Sequence, residues 1–301
     1  MLLAAVHPLT FFRAIVLGLI QGVTELFPIS SLGHTVLLPT LFGWHDLVKA
    51  QSQRNSFYLV FVVGLHCASA LALLVFYWKD WVRIIGAFFR TLRTRKIETS
   101  EERLAWLIIV ATIPAGIVGV LLATPLQDLF SKPLAAAIFL TLNGFVLLGG
   151  ERLRSRSQVR ALAARQGVTP EGGRRLDTLA FPEAGVIGLG QVLALLAGFS
   201  RSGVTMVAGL LRGLDHEDAV KFAFLLATPV IRAAGLYKLP ELFGHLGNGI
   251  RGQVLAGSVV AAVASYGSAR FLTRYFKTRT LTPFGIYCIA AGVFFIILTL
   301  V

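Results

Sequence analysis

Charge is scarce in this sequence. Of 301 residues, only 14% are Asp, Glu, Lys or Arg, against about a quarter in a soluble globular domain. With 55% hydrophobic residues and a mean hydropathy of +0.75, the chain cannot cover a water-facing surface. Its length would suit roughly two soluble domains, but the composition points instead to one polytopic membrane domain, 1–301. Cysteine is nearly absent: Cys67 and Cys288 both lie within apolar runs, which gives neither a disulfide framework nor a zinc pattern. Acidic residues are few, 15 against 28 basic, for a net charge of +13. In a soluble protein that balance would suggest nucleic acid. Here the basic residues gather between apolar runs, the distribution that orients membrane proteins, so nucleic acid is not expected as a partner and membrane lipid is. The opening residues MLLAAVHPLTFFR lack a basic start and an A-x-A site, so no cleavable signal peptide is expected.

A helix needs about 20 apolar residues to cross the hydrocarbon core. The runs 57–78, 104–123, 134–150, 219–238, 252–271 and 284–301 meet or approach this. Two other regions, 11–43 and 181–213, are apolar but interrupted by polar residues, Gly and, in the first, Pro. Irregular backbone survives at membrane depth only inside protein or beside a watery cavity. Each is therefore predicted to be a re-entrant hairpin of two short helices joined by a polar turn. Segments 79–103 and 150–182 carry seven Lys/Arg each and 272–282 carries three, whereas 44–56, 124–133 and 238–252 carry two, one and two. Basic segments stay in the cytoplasm. A single path satisfies this with both hairpins re-entrant: both termini and the first hairpin face outside, the second hairpin faces the cytoplasm, and 151–180 is a cytoplasmic linker.

The interrupted regions are related to each other. Shifted by 170 residues without a gap, 11–43 and 181–213 agree at 12 of 33 positions, among them Gly18/Gly188, Gln21/Gln191, Ser30/Ser200, Gly33/Gly203 and Thr35/Thr205. The expected fold is all-α and built of two repeats, 11–150 and 181–301, each a hairpin plus three spans. Three crossings per repeat turn the second upside down relative to the first, the inverted layout whose sites form where broken helices meet.

The first tip reads QGVTELFPISSLGHT. Gln21 and Glu25 share a helix face, Pro28 interrupts, and Ser30 and Ser31 open the next helix, where free N–H groups suit a phosphate. His34 lies about one turn further on. An ionisable group such as Glu25 inside a membrane is a functional candidate. The second tip reads AGFSRSGVT. Arg201 offers a fork for phosphate oxygens. Ser200, Ser202 and Thr205 add hydroxyls, while Gly198 and Gly203 permit close backbone approach. Together the tips would hold a phosphoryl anion on Arg201, with Glu25 as base or metal ligand and Ser31 or His34 as nucleophile. The plainer alternatives are an ion pair of Glu25 with Arg201 that clips the hairpins together, helix capping by Ser30, and helix–helix hydrogen bonding by Gln21 and Gln191. Arg232 reads as a snorkelling residue or a second contact to the anion. His66 reads as a core histidine and is left unassigned.

At Gln21-x-x-x-Glu25, Ser30-Ser31-x-Gly33-His34 and Ala197-Gly198-Phe199-Ser200-Arg201-Ser202-x-x-Thr205, the chain resembles the undecaprenyl-diphosphate phosphatase family, also called the bacitracin-resistance family. The resemblance covers nearly the whole chain. It implies a bacterial inner-membrane hydrolase that converts undecaprenyl diphosphate to the monophosphate carrier of cell-wall synthesis, at a site facing the periplasm. It further implies that Glu25, Ser31, His34 and Arg201 are catalytic. Ser30, Ser200, Ser202, Thr205, Gly198 and Gly203 would hold substrate, and a divalent cation, Mg or Ca, would sit at Glu25 and Gln21. Gln21 stands where many members carry glutamate, and Ala197 where the motif has proline. A transporter or flippase of polyprenyl phosphate or another anion is the competing reading, motivated by the inverted repeat.

Overall fold

The computed structural model describes residues 9–51, 53, 56–122, 129, 132–164 and 174–301, without the side chains of 156–164, 234 and 237. The reading of residues 1–8 as free of a signal peptide, most of the connection 124–133 and the linker residues 165–173 lie outside the described residues.

The described chain is helical. Five helices are long and apolar enough to cross a membrane: α4 (Phe57–Phe76), α6 (Ser100–Leu121), the Pro133–Ser155 part of α7 (Pro133–Ala164), α11 (Arg251–Tyr275) and α12 (Thr282–Leu300). A further helix, α10 (His216–Lys238), occupies the remaining predicted stretch. Each interrupted region is two short helices around a turn: α1 (Phe11–Thr24) with α2 (Ser31–Leu41), and α8 (Phe181–Gly190), extended by a 3-10 segment Gln191–Leu195, with α9 (Arg201–Leu211). A short helix α3 (His45–Gln51) follows the first hairpin.

Two segments depart from expectation. Residues 79–103 were expected as a loop but form mostly helix α5 (Trp78–Thr94). Trp78, Val82, Ile85, Phe89 and Leu92 are exposed along one face, and Ile84, Ala87 and Thr91 are buried on another. An exposed apolar stripe on a strongly basic helix suits the membrane interface. The seven cations read as a loop because their count hid the helical period. Helix α7 also continues to Ala164, so the first part of the expected linker 151–180 is helix.

Glycine sets the tightest packing. Gly18 of α1 abuts the Gly257 backbone of α11, Gly22 abuts Ala261, and Gly188 of α8 abuts the Ala111 carbonyl of α6. Helix association in lipid gains nothing from hydrophobic transfer, so close backbone contact through small residues supplies the attraction. The recurring residues do matching local work. Ser30 and Ser200 cap α2 and α9, each accepting a hydrogen bond at 3.2 Å, from the N–H of Gly33 and Gly203. Gly43 and Gly213 follow α2 and α9 with φ of +69° and +89°.

Candidate active site

The two hairpin tips meet, and backbone groups weld them. Ser30 Oγ, already capping α2, accepts the Gly198 N–H at 3.1 Å. The Ser200 and Ser202 hydroxyls donate to the Phe27 carbonyl at 3.4 and 3.3 Å. Asn143 of α7 stands behind both tips. Its Nδ2 donates to the Pro28 carbonyl at 3.0 Å and its Oδ1 accepts the Ser200 N–H at 3.1 Å. Gly198 needs its φ of +118°, and any Cβ there would press on Leu140 N of α7 at 2.7 Å. Ser30 is left-handed at φ +69°, a conformation that costs a non-glycine residue of order 1–3 kcal/mol. Its two accepted hydrogen bonds hold it there.

Glu25 is the centre of the junction. One oxygen, Oε1, pairs with Arg201 Nη2 from the other hairpin. The other, Oε2, accepts Ser31 Oγ at 2.5 Å and Gln21 Nε2 at 2.9 Å, and lies 3.3 Å from His66 Nε2. The Glu25 side chain is 4% exposed and that of Arg201 18%. Coulomb attraction is strong at such burial, but the buried arrangement must also offset the cost of desolvating two charges. The ion pair foreseen as a clip is therefore made. It does more than clip, because both partners line a cleft of about 270 Å³ together with Ser30, Ser31, Ser200 and His66.

The other expected site residues sit beside the cleft. His34 is buried and turned to α12: Nδ1 meets the Ser30 carbonyl at 2.7 Å and Nε2 meets Tyr287 Oη at 2.8 Å, with the two rings stacked. It does not pair with Ser31. Ser202 Oγ lies 3.3 Å from the Phe27 carbonyl and 3.0 Å from Ser200 Oγ, and Thr205 Oγ1 is buried without a partner. The N–H groups of Gly198 and Gly203 are taken by Ser30 and Ser200, so both glycines build the junction. Gln191 donates to the Ala111 carbonyl at 3.0 Å, the helix–helix bond anticipated for it. Arg232 is exposed on α10, as snorkelling requires.

Three residues of the site escaped the sequence reading. His66 projects from α4 to Glu25, its Nδ1 held by the Val62 carbonyl at 2.8 Å. Asn143 and Tyr287 act from α7 and α12. All three lie in apolar stretches of their helices and share no motif with the tips. An unexplained polar residue within a span was the one available signal.

A divalent cation was expected at Glu25 and Gln21. Gln21 Nε2 faces Glu25, and Gln21 Oε1 is buried without a partner. Turning the amide over would set two oxygens 2.9 Å apart, an edge that a hard cation spans. Among the described residues, no three His, Cys, Asp or Glu side chains gather as a metal cluster. Magnesium commonly uses one or two carboxylates and completes its shell with water and substrate phosphate. The donors present fit that pattern.

Residues 14–294 match the family model described as Bacitracin resistance protein BacA. The chain is 56% identical to Undecaprenyl-diphosphatase 2 of Frankia alni, over 95% of this chain and 97% of the relative. It is 54% identical to Undecaprenyl-diphosphatase of Mycolicibacterium paratuberculosis, over 94% and 95%. It is also 42% identical to Undecaprenyl-diphosphatase 2 of Chromobacterium violaceum, over 93% and 96%.

Proposed function

The chain belongs to the bacitracin resistance protein BacA family, and from that premise we infer that it hydrolyses undecaprenyl diphosphate to undecaprenyl phosphate and inorganic phosphate. It is a multi-pass membrane phosphatase that returns the lipid carrier to cell-wall synthesis. The observation that carries the site assignment is the Ser31–Glu25–Arg201 array at one cleft, which brings Glu25 and Arg201 together from two hairpins across 176 residues of sequence.

Phosphoryl transfer asks mainly for positioning and charge neutralisation. Arg201 binds the diphosphate oxygens, drawn from Glu25 by an anion of higher charge. Ser31 is the nucleophile. Its hydroxyl already donates to Glu25 Oε2 at 2.5 Å, so Glu25 takes that proton as Ser31 Oγ attacks the terminal phosphorus. The anhydride P–O bond breaks, and the undecaprenyl phosphate leaves with the proton from Glu25. Water then attacks the phosphoserine. Glu25 accepts a proton from the water and passes it to the departing Ser31 Oγ, releasing phosphate. His34 has both ring nitrogens engaged away from the cleft, which favours a positioning role through Ser30 over nucleophilic attack. A Mg or Ca ion would be held by the Glu25 carboxylate and Gln21 Oε1. When bound, it supplies further neutralisation of phosphoryl charge.

We read the hairpins as an inverted pair and the cleft as periplasmic. Supporting this, the cleft is lined by the first half of α4 and the later parts of α6 and α10, the ends remote from the basic segments 79–103 and 150–182. The test is phosphate release by the purified protein in detergent from undecaprenyl diphosphate, with Arg201→Ala inactive yet folded. No release by the wild-type protein with Mg or Ca supplied would overturn the assignment.

A further inference from the structure

The cleft has two kinds of wall. Glu25, Ser31 and Arg201 make a polar head end, while Leu59, Val62, Phe199 and Ile231 make most of the rest apolar. A second cavity, of about 410 Å³, runs along the same helices and is almost wholly apolar. Its walls are Ile109, Thr112, Ile113 and Ile117 of α6 and Pro229 of α10, with Gly116 between. Ile113 and Ile117 are half exposed, so this groove opens on the lipid-facing surface.

The cleft and the groove flank one seam, that between α6 and α10. Ala115 lines the cleft and its neighbour Gly116 the groove; Val230 lines the cleft and Pro229 the groove. Two neighbouring seams are shut by close contact: Gly235 of α10 sits against the Cys67 side chain of α4, and Gly188 of α8 against the Ala111 backbone of α6. The α6–α10 seam is different. Gly116 has nothing within 4 Å of where a Cβ would stand. Both helices also carry an internal proline at this level, Pro114 and Pro229. Proline inside a helix removes an N–H and crowds the preceding turn, which keeps two such helices from packing flush.

We propose that the α6–α10 groove carries the prenyl chain of the lipid diphosphate whose head group binds at Arg201; this rests on the hydrolase reading above. An amphiphile with its head in a protein-walled cleft must pass its tail sideways into lipid, and this seam is the apolar route that continues the cleft. The tail is solvated by hydrocarbon either way, so burial in the groove gains no transfer free energy. The contribution of the groove is steric: it is the path along which a long chain reaches a productive pose. Blocking it therefore penalises substrates by chain length, and a short chain contained in the cleft is indifferent.

The experiment compares Gly116→Trp and Ile113→Trp with wild type on undecaprenyl diphosphate and geranyl diphosphate, by phosphate release in detergent. Gly116 has open space where a Cβ would stand and Ile113 is a half-exposed part of the groove wall, so the added ring is set at the groove. The expected result is a loss of at least about tenfold in kcat/KM on the long substrate, with the short one within about twofold of wild type. Activity on geranyl diphosphate reports the fold of each variant. Equal losses on both substrates, or none on either, overturn the groove while leaving the hydrolase reading intact. Wild type inactive on both overturns the hydrolase reading and the groove with it. A second measurement needs no variant: a prenyl diphosphate with a benzophenone at its tail, competed by undecaprenyl diphosphate, should label residues 109–117 of wild type. Labelling confined to other helices overturns the proposal.

Discussion

Replacing Asn143 by alanine tests whether the two hairpins are held in register from behind. The side chain is fully buried and bridges Pro28 O at 3.0 Å and Ser200 N at 3.1 Å. Hydrogen bonds between membrane helices are worth only about 0.6 kcal/mol on average and up to about 1.7, because freed partners usually find others. Here the freed partners are backbone groups in two tight turns, and the Pro28 carbonyl retains only a long, weak contact from Cys288 Sγ at 3.8 Å. An orphaned buried polar group costs about 1–3 kcal/mol, so losing both contacts is expected to cost about 2–4 kcal/mol in all. Asn143→Asp keeps an acceptor for Ser200 N but sets an oxygen against the Pro28 carbonyl, so it should be at least as damaging as alanine. The assay is denaturant unfolding in detergent, read together with phosphate release. Because Asn143 does not line the cleft, lost activity would report displacement of Arg201 relative to Ser31. An alanine variant within about 0.5 kcal/mol of wild type, with full turnover, refutes the reasoning.

Three further outcomes follow from the same geometry. Glu25→Gln removes the base but also the anion competing for Arg201; kcat should fall by about 10²-fold or more while inorganic diphosphate inhibits at least as well as before, and an unchanged kcat sinks the assignment of Glu25. Gly198→Ala adds a Cβ at φ +118° with Phe139 Cβ 2.6 Å away; a loss above about 4 kcal/mol, seen as failure to accumulate in membranes or a collapsed unfolding midpoint, is expected, and a normal midpoint contradicts the junction geometry. Tyr287→Phe removes the hydroxyl at 2.8 Å from His34 Nε2. If His34 only positions Ser30, this variant should keep KM and lose less than about tenfold in kcat, whereas a loss equal to that of His34→Ala would make the Tyr287–His34 pair part of the chemistry.

The legible parts of the molecule were those written in short stretches. Composition fixed the solvent of the chain as lipid. Pro28 together with Ser30 and Ser31 marked a helix break, and Ser30 and Ser200 were readable as caps because capping is decided within three residues. The offset of 170 paired the two hairpins, and the motif residues named Glu25, Ser31 and Arg201. Where the sequence misled, a local count outweighed a period: the cations of 79–103 disguised the amphipathic helix α5.

Orientation was settled by tertiary structure. A helix such as α4, apolar on every side, offers no polar face to say which residue points inward, so His66 could not be aimed at Glu25 from sequence. Nor could Asn143 and Tyr287, on distant helices, be placed against the tips. His34, one turn from Ser31, belongs to the motif yet faces away, because helical rotation carries it to α12. Sequence by itself determined the membrane, most of the helices, their breaks and the candidate residues of the two tips. Packing decided which members share one cleft, because contact across 176 residues depends on how closely glycine faces let helices approach, and no local preference encodes that distance.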